Sequence, residues 1–310
     1  MKKLIKCEIC GSKKIGILLK GDDKLLGIPG KFSLFKCKNC KVIFLNPQPT
    51  DSELEKHYPN GGYYSLKNID TQSKKLKLKL LLYKIYFNKK DKDSLLRLIL
   101  SPLKFIARGT KINQGLKLLD IGSGSGQFIY EMKRFGMEVY GVEPGNFNKG
   151  DSKKYGLNIK NLNLIKAKYP KEFFNLITIN HVFEHISNPN QTIIEIKRIL
   201  KKDGLLIMGI PNTHSLSRIL FGKNWLALDI PRHLFNYSPK NITYLLEKSG
   251  FKVTKIRYNS RPSQFVVSLR YLLGFNKKFE KILDIIFLPL TWIVNAMKVG
   301  DQIEVWCEKR

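Results

Sequence analysis

Apolar positions change their spacing along this chain, and the change marks out its elements. From Gly115 onward, short apolar runs alternate with segments whose apolar residues recur every three or four positions. Leu116–Ile121 reads as a buried strand, and Gly126–Phe135 as a helix with Phe128, Ile129, Met132 and Phe135 on one side. Glu138–Val142 and Phe173–Ile179 read as further strands, with a poorly patterned one over Ile159–Ile165 between them. Asn188-Pro189 caps a helix whose core face is Ile193, Ile196 and Leu200, with proline at the first helical position. Asp203-Gly204 turns into the strand Leu205–Ile210, and Ser238-Pro239 opens a helix that Gly250 ends before the strand Phe251–Tyr258. Ile303–Glu308 is the last strand. Strands alternating with helices predict an α/β fold, a parallel sheet wound with crossover helices.

Upstream the texture differs. Phe32–Lys36 and Val42–Leu45 predict a short hairpin, ended by Asn46-Pro-Gln-Pro49. Thr50-Asp-Ser-Glu-Leu opens a short helix, Gly61-Gly-Tyr-Tyr64 reads as a loop, and a basic, leucine-rich stretch over 74–108 reads as one or two amphipathic helices broken around Asn88–Asp93. Three regions follow: a small module over 1–50, a helical cap or linker over 51–114, and the α/β domain over 115–310 with an apolar helical insertion at about 277–299. That insertion needs a cover, which the cap helices, a second copy of the chain or lipid could supply.

Charge adds a constraint. The 310 residues carry 55 Lys and Arg against 25 Asp and Glu, a net charge of +30. Such an excess suits anionic partners: nucleic acid, a membrane surface or phosphorylated substrates. It equally suits lysines that fill solvated positions, and no nucleic-acid module motif accompanies it. Lys6, Cys7 and Glu8 interrupt the first apolar run, so no signal-peptide core forms. The longest apolar stretch, Ile282–Met297, contains Asp284 and Pro289 and is shorter than the ~20 residues of a spanning helix. A cytoplasmic protein is expected, with peripheral contact at the inner membrane face as its one link to lipid.

Four of the five cysteines form two pairs, Cys7-Glu-Ile-Cys10 and Cys37-Lys-Asn-Cys40. Two C-x-x-C knuckles separated by a loop have the spacing of a four-thiolate structural zinc site, which leaves no open position for catalysis. Gly11 and Asn39 supply the conformational freedom that such turns need. A redox pair would need a βαβ setting that is missing here. Cys307 lies in a strand pattern and reads as core.

The first strand of the α/β domain runs into Asp120-Ile-Gly122-Ser123-Gly124-Ser-Gly126-Gln127. Glycines there let the backbone turn and a ligand approach, and the following helix offers free N–H groups. The sixth position, where a nicotinamide-type loop needs glycine or alanine, is Gln127. Glu143 ends the second strand 21 residues after Gly122, where a carboxylate can accept both hydroxyls of a ribose. The loop suits a nucleoside with a small carboxylate at its anionic end and no diphosphate.

With Leu118–Gly126, Gly141-Val-Glu-Pro144, Asn180-His-Val-Phe-Glu-His-Ile186, Ile199–Ile207, Pro211-Asn212 and Pro231–Ser238 in order, residues 116–258 resemble class I S-adenosylmethionine-dependent methyltransferases. The branch is that of the ubiquinone-type O-methyltransferases and the sugar methyltransferases. The paired knuckles, Asn-Pro-Gln-Pro and Tyr63-Tyr64 are similar to methyltransferases of surface-polysaccharide and deoxysugar pathways. The resemblance implies a doubly wound, seven-stranded Rossmann-like sheet with an N-terminal zinc ribbon and helical cap. It implies S-adenosylmethionine as cofactor, held by Asp120, Gly122, Ser123, Gly124, Gly126, Gln127, Glu143, Asn180 and His181, with Leu162-Asn163 beside the adenine. Asn175 departs from an aspartate common in relatives, and the further C-terminal domain of the larger sugar C-methyltransferases does not fit in 310 residues.

Methyl transfer to a hydroxyl or carbon acid requires a base. Of five histidines, His181, His185, His214 and His233 follow the C-terminal ends of core strands, where ligands bind in open α/β sheets. His233 is the candidate base, with His181 as the second catalytic candidate. Glu184-His185 reads as loop-ordering, and Tyr63 and Tyr64 as a possible wall of the acceptor pocket. The expected acceptor is a small molecule, a sugar or nucleotide sugar of glycan synthesis. The rivals are a quinone-like or lipid-linked acceptor at the membrane face, and RNA, against which the missing Asn/Asp-Pro-Pro-Tyr/Phe motif at Asn180–Phe183 argues.

Overall fold

The computed structural model describes residues 1–58, 68–87, 94–145 and 149–310; Tyr63, Tyr64 and the break at 88–93 lie outside the described residues. Strands β1 (Ile15–Gly21), β2 (Phe32–Cys37) and β3 (Ile43–Leu45) form the N-terminal ribbon. Helices α1 (Asp51–Glu55), α2 (Lys74–Phe87) and α3 (Ser94–Ile99) follow. Thr50 caps α1 reciprocally with Glu53, so the Thr50 side chain and backbone both find partners. Then come β4 (Lys117–Ile121), α4 (Gln127–Lys133), β5 (Glu138–Val142), α5 (Lys149–Lys154), β6 (Asn158–Lys160) and β7 (Phe174–Asn180). The chain continues through α6 (Pro189–Ile199), β8 (Leu200–Pro211), α7 (Leu216–Phe221), β9 (Phe235–Asn236), α8 (Pro239–Lys248) and β10 (Phe251–Tyr258). It closes with α9 (Pro262–Leu273), α10 (Glu280–Ile286), α11 (Leu288–Ala296) and β11 (Gln302–Lys309).

Seven strands form the main sheet in the order β10-β11-β8-β7-β4-β5-β6. Strands β6, β5, β4, β7 and β8 run parallel, while β11 is antiparallel to both of its neighbours. The central strands are apolar on both faces because helices cover both. Leu118 and Leu176 point to a core shared with α2 and α4; their neighbours Leu119 and Ile177 point to the core of α6, α8 and the ribbon. Cys307 is buried in β11, as expected.

The third strand is shorter than the sequence implied: β6 stops at Lys160, and Leu162 and Ile165 are exposed. Asn161 ends it, because its side-chain amide donates to the carbonyls of Glu143 and Gly145 and turns the chain. The apolar insertion begins with α9 at Pro262, earlier than the expected 277, since Val266 and Ser268 form a buried stripe that joins it to the domain. The basic helix α2 packs inward through Leu82 and Tyr83, the latter against Phe128 and Phe135.

The ribbon is not a free-standing module. Its sheet has the order β1-β2-β3-β9, so its fourth strand comes from the α/β domain, with Phe44 opposite Phe235 and Ile43 opposite Asn236. Ribbon residues and one face of the main sheet share a single hydrophobic core.

Candidate active site

The chain leaves β4 through Gly122, Gly124 and Gly126, whose φ values of 69°, 54° and 86° are all left-handed. A Cβ at Gly122 would sit 2.2 Å from Val182 Cγ2, so only glycine lets this loop lie against the segment after β7. Glu143 faces the loop from the end of β5. Its Oε2 accepts from the Gly124 N–H at 2.8 Å and its Oε1 from the Gly145 N–H at 2.9 Å. The expected juxtaposition of glycine loop and carboxylate is therefore present, with the carboxylate oriented by backbone.

Two other residues of the expected donor site are engaged elsewhere. Asp120 is buried; Arg108 holds it in a two-pronged ion pair and the Thr178 hydroxyl donates to it at 2.6 Å. The Arg108 guanidinium also lies 3.9 Å from the centre of the Phe128 ring. The Gln127 amide is spent on the cap: its oxygen accepts from the Asp70 N–H at 2.7 Å and its nitrogen donates to Glu131. Ser123 keeps a buried hydroxyl with no partner among the described residues. Asn180 lies across Gly209, where a Cβ would meet its Oδ1 at 2.2 Å.

Beyond Val182 the structure assembles three imidazoles around one carboxylate. Glu184 is fully buried, and among the described residues neither of its oxygens has a hydrogen-bond donor. The closest ring nitrogens to it are His181 Nδ1 at 3.4 Å and His233 Nε2 at 3.9 Å. The rings of His185 and His233 meet edge to face with centres 4.6 Å apart. Burial drives the Glu184 carboxyl up, but the three histidines outweigh it and hold it down at about 2. His185 is lowered to about 4, by burial first and the neighbouring His233 second.

Both inner histidines have their tautomer set by backbone. His233 Nδ1 donates to the Ala227 carbonyl and His185 Nδ1 to the Arg232 carbonyl, each at 2.9 Å. A carbonyl can only accept, so both present a basic Nε2 when neutral. Asp229 Oδ2 lies 3.7 Å from His233 Nε2, a second carboxylate able to stabilise an imidazolium there. Glu184, His185 and His233 also place one ligand atom each within 4.8 Å of one another, a donor set that suits a divalent cation. His181, by contrast, is on the rim; its Nε2 is 3.1 Å from Gln302 Oε1.

Sequence reasoning gave Glu184 and His185 only a loop-ordering role and passed over Arg232, which proves to be the fastening of the whole site. Arg232 is fully buried. Its Nη1 and Nη2 each donate to Asp23 at 2.8 Å, its Nε and Nη2 to Asp229, and its Nη1 to the His57 carbonyl at 3.1 Å. His57 Nδ1 closes the network on Asp23 at 2.9 Å. Tyr58 brings its hydroxyl to 3.1 Å from His185 Nδ1, so the ribbon side also reaches the imidazole cluster. The exposed His214 stays outside it.

In the ribbon, Cys7 Sγ is 3.6 Å from Cys40 Sγ, and Cys10 Sγ is 3.6 Å from Cys37 Sγ. Four thiolates at ~2.3 Å from one zinc lie about 3.8 Å apart, so the cluster fits that ion. The two knuckles repeat one hydrogen-bond pattern: the N–H groups of Gly11 and Lys41 return to the Cys7 and Cys37 carbonyls. The left-handed residue of the second knuckle is Lys41, at φ 65°, rather than Asn39, because each turn closes just after its second cysteine.

The strand order, the glycine loop facing a carboxylate and the imidazole cluster beyond the next strand are those of a class I S-adenosylmethionine-dependent methyltransferase with an N-terminal ribbon. Residues 91–256 match the family model described as "Methyltransferase domain", more than half of the chain, and the chain belongs to that family. It is similar to the ubiquinone biosynthesis O-methyltransferase of Maricaulis maris, 27% identical over 173 residues, which are 51% of this chain and 68% of that one. The Haemophilus ducreyi protein of the same name is 29% identical over 149 residues, 43% of this chain and 63% of its own length. A solved S-adenosylmethionine-dependent methyltransferase from Archaeoglobus fulgidus superimposes with a TM-score of 0.45 at 19% identity, covering 74% of this chain and 99% of that one.

Proposed function

We propose that this methyltransferase acts on a hydroxyl of a sugar or nucleotide sugar in glycan synthesis, with His233 removing the proton. The observation that carries the base assignment is the buried Glu184 beside the fixed Nε2 of His233. S-adenosylmethionine supplies the electrophilic methyl group when bound. Glu143 would take the ribose hydroxyls, and Gly122, Ser123, Gly124 and Gly126 would line the donor. Asn180 and His181 would close it from the β7 side, while Asp120 and Gln127 act indirectly, holding Arg108 and the cap in place. The acceptor oxygen would take the methyl group as its bond to the donor sulfur breaks, leaving a neutral thioether. The acceptor proton would pass to His233 Nε2, which has Glu184 at 3.9 Å and Asp229 at 3.7 Å to favour the charged form.

The sugar acceptor rests on the ribbon, whose cysteine layout resembles polysaccharide-pathway enzymes and whose sheet leads through β9 into the His233 loop. A quinol acceptor is the second reading, favoured by relatives named for ubiquinone biosynthesis. Labelled methyl transfer to nucleotide sugars, lipid-linked glycans, quinol precursors and total RNA decides between them. His233→Ala should lower kcat by about a hundredfold with donor affinity kept. Full activity in that variant would remove His233 from the mechanism.

A further inference from the structure

The helical insertion needs a cover, and the described residues supply none for much of it. Helices α9, α10 and α11 turn only a thin stripe inward. Phe265 packs between Phe221 and Phe287, with ring centres 4.9 and 4.8 Å away, and Val266, Thr291 and Val294 are buried. The other side presents Leu273, Ile282, Ile285, Ile286, Ile293 and Met297 to solvent, with Ile285 75% and Leu273 67% exposed. Six large apolar side chains exposed on one insertion are more than the scattered single ones of an ordinary surface, and mark an interaction site.

Charge around the face says what it meets. Lys277, Lys278, Lys281 and Lys298 are exposed at its edge, and among the described residues no ion pair holds them. Neither acidic group of α10 pairs with them among the described residues. Glu280 receives the Arg270 guanidinium at 2.6 Å, and Asp284 is only partly exposed, with its Oδ1 buried. A second copy docked symmetrically here would set lysines against lysines, with only the half-buried Asp284 of α10 unpaired to receive them. A surface of anionic headgroups over acyl chains satisfies both the cations and the apolar side chains. No helix among the described residues is long and apolar enough to cross a membrane, so the fit is to a surface.

We propose that α9–α11 form a docking face for an anionic membrane, with the isoleucines in the headgroup boundary and the four lysines on phosphates. Its position gives the contact a purpose. The insertion leaves the C-terminal end of β10 and returns at the start of β11, the end of the sheet that carries the glycine loop. Gln264 of α9 donates to Gln302 Oε1, which also lies beside His181, and Ser268 of α9 accepts from the Leu226 N–H at 2.9 Å. Docking would thus bring the acceptor side of the site to the membrane face, whichever acceptor is methylated.

The test is flotation of the full chain with vesicles of phosphatidylglycerol and phosphatidylcholine, against phosphatidylcholine alone, with sedimentation in parallel. Binding only to the anionic vesicles, lost at high salt, is expected. Each lysine is worth about fivefold, so Lys277→Gln, Lys278→Gln and Lys281→Gln together should weaken partitioning roughly a hundredfold. Ile285→Glu with Ile293→Glu should abolish it while donor binding, the sign of an intact fold, is kept. A monomer that ignores anionic vesicles at low salt overturns the proposal. So does a dimer that Ile285→Glu dissociates, since the face would then belong to a second copy.

Discussion

Replacing Arg232 with methionine removes a guanidinium that nothing in solvent can replace. Arg232 and Asp23 are both inaccessible, and Asp229 is nearly so. Methionine keeps most of the volume, so the loss is electrostatic and not a cavity. Among the described residues it leaves the Asp23 carboxylate with only His57 and the Leu26 N–H, and Asp229 with only the His233 ring beside it. Breaking a buried pair while leaving its partner charged costs about 3–5 kcal/mol. For a chain of this size that is a fall of roughly 5–8 °C in Tm. Urea unfolding followed by the fluorescence of Trp225 reads it directly, since Trp225 is buried in the same core as the His233 loop. Asp23→Asn in the variant background should recover part of the loss, because it removes the orphaned charge. In the parent, burial raises the Asp23 pKa, but Arg232 and His57 outweigh it and hold it below the usual aspartate value. Its contribution is therefore present above that value and lost as pH falls through the lowered one. In the variant the opposition is gone, so the gap between variant and parent should narrow on acidification. A stability within ~1 kcal/mol of the parent at neutral pH would refute the clamp.

Three further outcomes follow from the geometry. Glu143→Ala should weaken S-adenosylmethionine binding tenfold or more by calorimetry, because a charged acceptor of about 1.5–3 kcal/mol per hydrogen bond is lost; unchanged affinity would place the ribose elsewhere. Elemental analysis should find one zinc per chain, and its removal should destabilise the His233 loop along with the ribbon; four freely alkylated thiols in metal-free, fully stable protein would exclude this. His185, lowered to about 4, contributes stability that is whole above the ordinary histidine range and is lost as pH falls from about 6.5 to 4; Glu184, lowered to about 2, adds a second loss below the ordinary glutamate value. A pH titration of urea midpoints checks both steps, and Glu184→Gln should remove the second.

The periodic parts of the fold were legible because both their faces or one clear stripe are buried. β5 and β10 match their expected bounds, and α6 and α8 start at prolines behind Asn188 and Ser238. β1 escaped notice because its residues are half-buried or exposed, leaving no alternation to read. β9 has two residues, too few for any period, and its partner strand lies far upstream. The glycine loop could be read from local spacing, since glycine needs and a strand end fix it. The Glu184 cluster and the Arg232 clamp could not, because they join residues from the segment after β7, the loop before β9 and the N-terminal region. Charge reading failed at Arg232 in particular, since surface lysines and a fully buried arginine carry the same sign in a composition.

The strand shared between ribbon and α/β domain also sets a timetable. Asp23 and Arg232 are 209 residues apart, and β3 waits nearly as long for β9. A chain made from its N-terminus can knot its cysteines early, yet the exposed edge of β3 stays unpaired until most of the sheet has been synthesised. Contacts that span so much sequence form late and slowly. Completion of the His233 loop is therefore among the last events of folding, and a ribbon left without its fourth strand offers that edge to any neighbouring chain.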